Sequence, residues 1–255
     1  MLHARVVGSG QAMLFLHGFP LNSRMWEPQI RVLRERARVI APDFPGFGLS
    51  GPPLVEPSLD RYAREVISLL DQLHVERVVV VGLSMGGYVA FRLAEPLGAR
   101  LVGLVLADTR ATPDSADAAA ARHELAAEVE AEGVEAAASE FLPKLLGATT
   151  LRTQPQLVDR VRAIMLENTV PGVAGALRAL AARPDSTALL SQIRCPVACV
   201  AGEEDSITPP DIAHEMAARI RDAWTEVIPL AGHLSNLEGP DAFNDVLVTI
   251  LDQKR

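Results

Sequence analysis

The segment Gly82-Leu83-Ser84-Met85-Gly86-Gly87 sets a serine between glycines two residues to either side. It follows a β-branched run over 77–81, read as a strand buried on both faces, and precedes a helical pattern over 85–96. A strand that turns this sharply into a helix crowds the backbone on both sides of its middle residue. Glycine tolerates that crowding, and the serine hydroxyl is pushed out above the C-terminal edge of the sheet. The helix that follows aims its positive end at the same point. Ser84 is therefore the candidate nucleophile. The competing reading is a glycine-rich turn in which Ser84 is an ordinary N-cap.

A serine hydroxyl needs a base to take its proton. Of the six histidines, His233 lies just past a strand and before the last helix, where a loop reaches the sheet edge. His74, His123 and His214 fall within or at the ends of helical patterns, and His3 is near the terminus. The base in turn needs a carboxylate to fix its tautomer. Asp205 follows the strand over 197–201 and precedes Thr208-Pro209, read as the N-cap and first position of a helix. Glu203, Glu204 and Asp108 compete with it for this role. Two backbone donors must meet a developing oxyanion. The expected pair is the amide of Met85, directly after the nucleophile, and that of Phe19 in His17-Gly18-Phe19-Pro20. Asp43 and Ser50 are expected to brace the loop structurally. Trp26, Phe141, Leu145 and Met165 are candidate substrate-binding residues lining an apolar pocket, although each also suits ordinary core.

Five loops at one edge of a sheet require alternating strands and helices. Strands are expected over 12–16, 38–41, 77–81, 101–107, 197–201 and 225–228, and core helices over 24–36, 59–73, 85–96, 212–220 and 241–251. That alternation predicts an α/β fold with a mostly parallel, doubly wound sheet covered on both faces. Residues 109–191 break the rhythm. Twelve of the thirty residues over 111–140 are alanine and none is aromatic, which favours helix over strand there. Helical patterns recur over 116–131, 134–146, 154–168 and 173–182, punctuated by glycine and proline. The expected organisation is a core of residues 1–108 and 192–255 with a helical insertion over 109–191. Packing of those helices along the sheet edge is the alternative.

The 255 residues suit a single core rather than several domains. A formal charge of −8 argues against nucleic acid and anionic membranes as partners, leaving a small molecule as the expected one; the oligomeric state is not legible. Cys195 and Cys199, four apart on a strand, would stand about 13 Å apart, too far for a disulfide. Neither a zinc-binding helix motif nor a phosphate-cradling loop is present, so no metal or cofactor is expected. The N-terminus lacks a charged segment followed by an apolar run, and the longest apolar runs are too short to cross a bilayer; a cytoplasmic protein is expected.

His17 to Pro20, Asp43 to Ser50, Gly82 to Gly87, Gly202 to Asp205 and Gly232-His233 together resemble the signature loops of the α/β-hydrolase superfamily, along about residues 1–255. The resemblance implies a Ser84, Asp205, His233 triad and a cap lobe over the active site. Two further stretches, Ala182-Arg183-Pro184-Asp185-Ser186-Thr187 and Gly232-His233-Leu234-Ser235-Asn236-Leu237-Glu238, look like those of carboxylesterases and the 3-oxoadipate enol-lactonase group. The expected activity is a serine esterase cleaving a small carboxylic ester through an acyl-enzyme, and the expected partner is a small-molecule ester or lactone substrate. The alternatives are an enol-lactonase, a C–C bond hydrolase or a perhydrolase with the same triad. From another class comes a ligand-binding sensor on the same scaffold.

Overall fold

The computed structural model describes residues 2–253. In chain order the elements are β1 (Ala4–Val7), β2 (Ala12–Leu16), α1 (Glu27–Leu33), β3 (Arg38–Pro42), α2 (Leu59–Gln72), β4 (Val78–Leu83), α3 (Met85–Leu97) and β5 (Leu101–Ala107). Six helices follow: α4 (Ala116–Glu132), α5 (Val134–Leu145), α6 (Ala148–Thr153), α7 (Pro155–Leu166), α8 (Val170–Ala181) and α9 (Thr187–Leu190). The chain then returns through β6 (Val197–Gly202), α10 (Pro210–Ala217), β7 (Ala223–Ile228), α11 (Ser235–Glu238) and α12 (Pro240–Asp252).

Among the described residues the strands form one seven-stranded sheet, ordered β1-β3-β2-β4-β5-β6-β7. β1 runs antiparallel to β3 and every other neighbouring pair is parallel. The strand order reverses between β2 and β4, where the chain steps first to one side of β2 and later to the other. Loops leaving the C-terminal ends of strands part at such a reversal and open a crevice. The loops carrying Phe19 and Ser84 flank it.

The central strands are buried on both faces, so their side chains alternate between two cores. Leu14, Leu16, Val78, Val80, Leu104 and Leu106 face the side covered by α2, α3 and α10. Met13, Phe15, Val79, Val81 and Val105 face the side covered by α1 and α12. Each such side chain contributes about 1.5–3 kcal/mol by leaving water. Capping sets where α2 begins: Ser58 Oγ accepts the Arg61 amide at 3.2 Å.

Departures from the expected elements have local causes. β1 was not expected: Ala4-Arg5-Val6-Val7 is short and half-exposed, and it pairs only along an edge. The helix expected from residue 24 begins as a 3-10 turn over Ser23–Trp26, because Asn22 caps that turn through Arg24 and Pro28 then opens α1. The helix after Asp205 starts at Pro210 with Pro209, not Thr208, as its cap position, which frees Thr208 for another partner. Among the described residues no helix is long and apolar enough to cross a membrane.

Candidate active site

At the end of β4 the chain turns directly into α3, and Ser84 at the corner has φ 53° and ψ −112°. A non-glycine residue in that region costs on the order of 1–3 kcal/mol and persists only where its surroundings hold it. Here the Ser84 amide donates to the Ala107 carbonyl at 2.9 Å, and the Ser84 carbonyl accepts the Gly87 amide and the Thr109 hydroxyl, each at 2.9 Å. A β-carbon on Gly82 would overlap the Gly86 carbonyl, and one on Gly86 would overlap the Leu16 carbonyl. Glycine at both positions is what lets the corner seat against β2.

His233 follows β7 after a four-residue turn. Its Nε2 lies 2.8 Å from Ser84 Oγ, and its Nδ1 lies 2.8 Å from Asp205 Oδ2. A carboxylate can only accept, so the imidazole carries its hydrogen on Nδ1 and leaves Nε2 to accept from the serine. Both His233 and Asp205 are buried, at 2% and 4% exposure, so the link between them is shielded from competing water, while Ser84 at the corner is partly exposed. Asp205 Oδ1 accepts the amides of Ile207 and Thr208 at 2.8 and 2.9 Å, and Oδ2 accepts the Thr208 hydroxyl at 2.6 Å. Burial pushes the Asp205 carboxyl up. The charge and hydrogen bond of His233, with the two hydrogen bonds from Thr208, outweigh it and hold the carboxyl below its usual range.

The competing carboxylates all have other partners. Asp108, at the end of β5, accepts the Gly202 amide at 2.9 Å and the Ser235 hydroxyl at 2.5 Å. It is fully buried, and burial together with the nearby charge of Asp205 raises its pKa well above the carboxylate range. Glu203 accepts the Leu230 amide, and Glu204 accepts the amide and hydroxyl of Thr149.

Gly18 runs beside the corner: a β-carbon there would sit 3.6 Å from Ser84 Cβ. Phe19, next in the chain, meets Phe141 edge to face with centroids 5.3 Å apart. Met85 opens α3, and an amide at that position has no acceptor within the helix. Beneath the Phe19 loop, His17 is fully buried and accepts the Phe44 amide on Nε2 at 3.0 Å, which leaves Nδ1 to donate to the Gly18 carbonyl at 3.1 Å. Burial lowers its pKa to about 4, so it is neutral at pH 7. Asp43 braces the adjacent turns rather than the Phe19 loop itself. Its carboxylate accepts the Ser23 amide at 2.7 Å and the Leu49 amide at 3.0 Å, while the Ser50 hydroxyl donates to the Asp43 carbonyl at 2.7 Å.

The candidate pocket residues separate. Phe141 is half-buried beside Phe19. Trp26 has no exposed surface and packs against Phe15 and Phe243, with ring centroids 5.2 and 6.0 Å away. The expectation that Trp26 binds substrate is corrected accordingly: it offers no face to a ligand. Leu145 and Met165, each 1% exposed, also belong to the packed core. Cys195 and Cys199 are free and buried, which pushes their thiols up to about 11 and about 12.

Two contacts at the site went unforeseen. Thr208, read as a helix cap, instead bonds Asp205; the signal was there in a hydroxyl three residues beyond a loop carboxylate. Glu238 accepts the amides of Gly232 and Leu234, on either side of His233.

A sequence model of the Alpha/beta hydrolase family matches residues 13–246. The chain is 30% identical over 240 residues to 3-oxoadipate enol-lactonase 1 of Acinetobacter baylyi, covering 91% of this chain and 85% of the relative. With 3-oxoadipate enol-lactonase 2 of the same organism the identity is 28%, covering 94% and 88%. Among solved structures, an esterase from Thermogutta terrifontis in a malate-bound form is 38% identical with a TM-score of 0.95, over 98% of this chain and 92% of that one. The enol-lactonase of Burkholderia xenovorans LB400 is 27% identical with a TM-score of 0.91, over 99% and 96%. This chain belongs to the alpha/beta hydrolase family.

Proposed function

We propose that this hydrolase cleaves small carboxylic esters through an acyl-enzyme on Ser84. The observation that carries the reading is the continuous line from Ser84 Oγ to His233 Nε2 and from His233 Nδ1 to Asp205, with 2.8 Å at both links. Ser84 attacks the ester carbonyl as His233 takes its proton, and Asp205 stabilises the imidazolium that results. The amides of Met85 and Phe19 donate to the tetrahedral oxyanion, and the N-terminus of α3 favours negative charge at the same place. His233 then gives its proton to the departing alcohol and activates water for release of the acid. Helices α4–α9 act as a cap over this edge of the sheet, with Phe141 forming an apolar wall beside Phe19.

A second reading, opening of an enol-lactone ring by the same attack, is favoured by the relationship to the two Acinetobacter baylyi enol-lactonases. The test is a panel of aryl esters of increasing acyl length, an enol-lactone and a peptide, run beside Ser84→Ala. The substitution should lower kcat on every substrate by a factor of about 10³ to 10⁶ while leaving the fold intact. Undiminished ester turnover by Ser84→Ala would reject the serine mechanism. Enol-lactone turnover far above that of every aryl ester would select the second reading.

A further inference from the structure

Glu238 ends α11, five residues beyond His233, and its two carboxylate oxygens face different parts of the fold. Oε1 accepts the Gly232 amide at 2.9 Å and the Leu234 amide at 3.2 Å, so it grips the backbone immediately before and after His233. Oε2 accepts the Gly147 amide at 2.8 Å, from the turn that joins α5 to α6 in the helical insertion. At Gly147 and Gly232 the two segments touch backbone to backbone: a β-carbon on Gly232 would overlap the Gly147 amide. A second carboxylate strengthens the same junction. Glu204, next to Asp205 in the chain, accepts the Thr149 amide at 2.7 Å and the Thr149 hydroxyl at 2.5 Å. The loops that carry His233 and Asp205 are thus both tied, through neighbouring glutamates, to the turn over 147–149 of the insertion.

We propose that Glu238 is a positioning residue that fixes the backbone on both sides of His233 and makes the setting of that imidazole depend on the seating of the insertion's 147–149 turn. The inference rests on the triad reading above. A base placed 1 Å off its line to the nucleophile can cost on the order of a hundredfold in rate, so a contact that never meets substrate still governs the proton transfer. The chemistry of the side chain makes the idea separable. A carboxylate presents acceptors on both oxygens, and the three backbone amides that meet it here are donors. Glutamine keeps one acceptor, and its amino group would face an N–H. It can therefore hold the His233 loop or the insertion turn, but not both. Alanine holds neither.

The test compares Glu238→Gln and Glu238→Ala with the wild type. It uses the rate at which a fluorophosphonate labels Ser84, kcat and KM for p-nitrophenyl acetate, and thermal melting. Labelling reads the nucleophilicity of Ser84 and does not require the natural substrate. The expected result is labelling and kcat slowed together, about 3–10-fold in Glu238→Gln and about 30–100-fold in Glu238→Ala, with KM changed less than about twofold. Should Glu238→Ala fail to fold, the graded loss in Glu238→Gln decides. Wild-type labelling and kcat in folded Glu238→Gln, with only the melting temperature lowered, overturn the inference and leave the triad reading standing. Absence of label on Ser84 in the wild-type enzyme removes the triad reading and takes this inference with it.

Discussion

Asp108 Oδ1 accepts the amide of Gly202, three residues ahead of Asp205, so one buried carboxyl supports the strand end from which the other projects. Their acidities are displaced in opposite directions. Asp108 is held well above the carboxylate range by burial and by the charge of Asp205, whereas Asp205 is held below it by His233 and Thr208. The charge of Asp205 disfavours a second charge on Asp108, and the group paired with the imidazole is the one whose charge is favoured.

A carboxamide is nearly isosteric with a neutral carboxyl, so asparagine at each position reads which of the two must carry the charge. Asp108→Asn should keep kcat/KM within about threefold of wild type, its amide oxygen accepting from Gly202 and its amino group donating to a Ser235 hydroxyl that turns from donor to acceptor. Asp205→Asn should lower kcat/KM by a factor of about 10² to 10⁴, because an asparagine cannot fix the Nδ1-protonated tautomer of His233. Steady-state kinetics of both variants on one aryl ester check the pair. Equal losses would mean that Asp108 carries charge and shares the role.

His17 makes the stability of the fold depend on pH. Its folded pKa is about 4 against 6.5 in an open chain, so the unfolded state binds more protons between those values. Stability from this residue is complete above pH 6.5, falls as the pH drops from 6.5 towards 4, and is lost below that. The shift corresponds to about 3 kcal/mol. Chemical denaturation of wild type and His17→Gln at pH 7.5, 6, 5 and 4.5 should show a steeper acid loss for the wild type. Parallel curves for the two proteins would contradict the account.

The sheet and the Ser84 corner were legible because their causes are local. Four consecutive valines over 78–81 cannot be half-exposed comfortably, and glycines at 82 and 86 are demanded by a turn confined to a few residues. His233 and Asp205 were readable because each follows a strand at the same edge. What stayed hidden depends on contacts between distant segments. The bond from Glu238 to Gly147 spans 91 residues, and a side chain that accepts backbone amides leaves no pattern in the sequence, since every residue but proline offers one. Trp26 was left between pocket wall and core for a related reason. A large aromatic suits a pocket wall and a core equally, and only the rings of Phe15 and Phe243 around it decide.

That distinction between Trp26 and Phe141 gives a measurement of its own. Phe141 stands half-buried on α5 with its ring against Phe19, whose amide is the proposed oxyanion donor. Trimming it to alanine removes a wall beside the reacting carbonyl and enlarges the space for an acyl chain. Phe141→Ala should raise the ratio of kcat/KM for p-nitrophenyl octanoate over acetate by about tenfold, at the lower end of what the fit of one methylene commands in an apolar pocket. Trp26→Phe, in contrast, leaves a void in a fully buried cluster. It should lower stability by about 1–3 kcal/mol while leaving that ratio unchanged, because the side chain offers no surface to a ligand. If Trp26→Phe moved the chain-length ratio and Phe141→Ala did not, the assignment of wall and core would have to be exchanged.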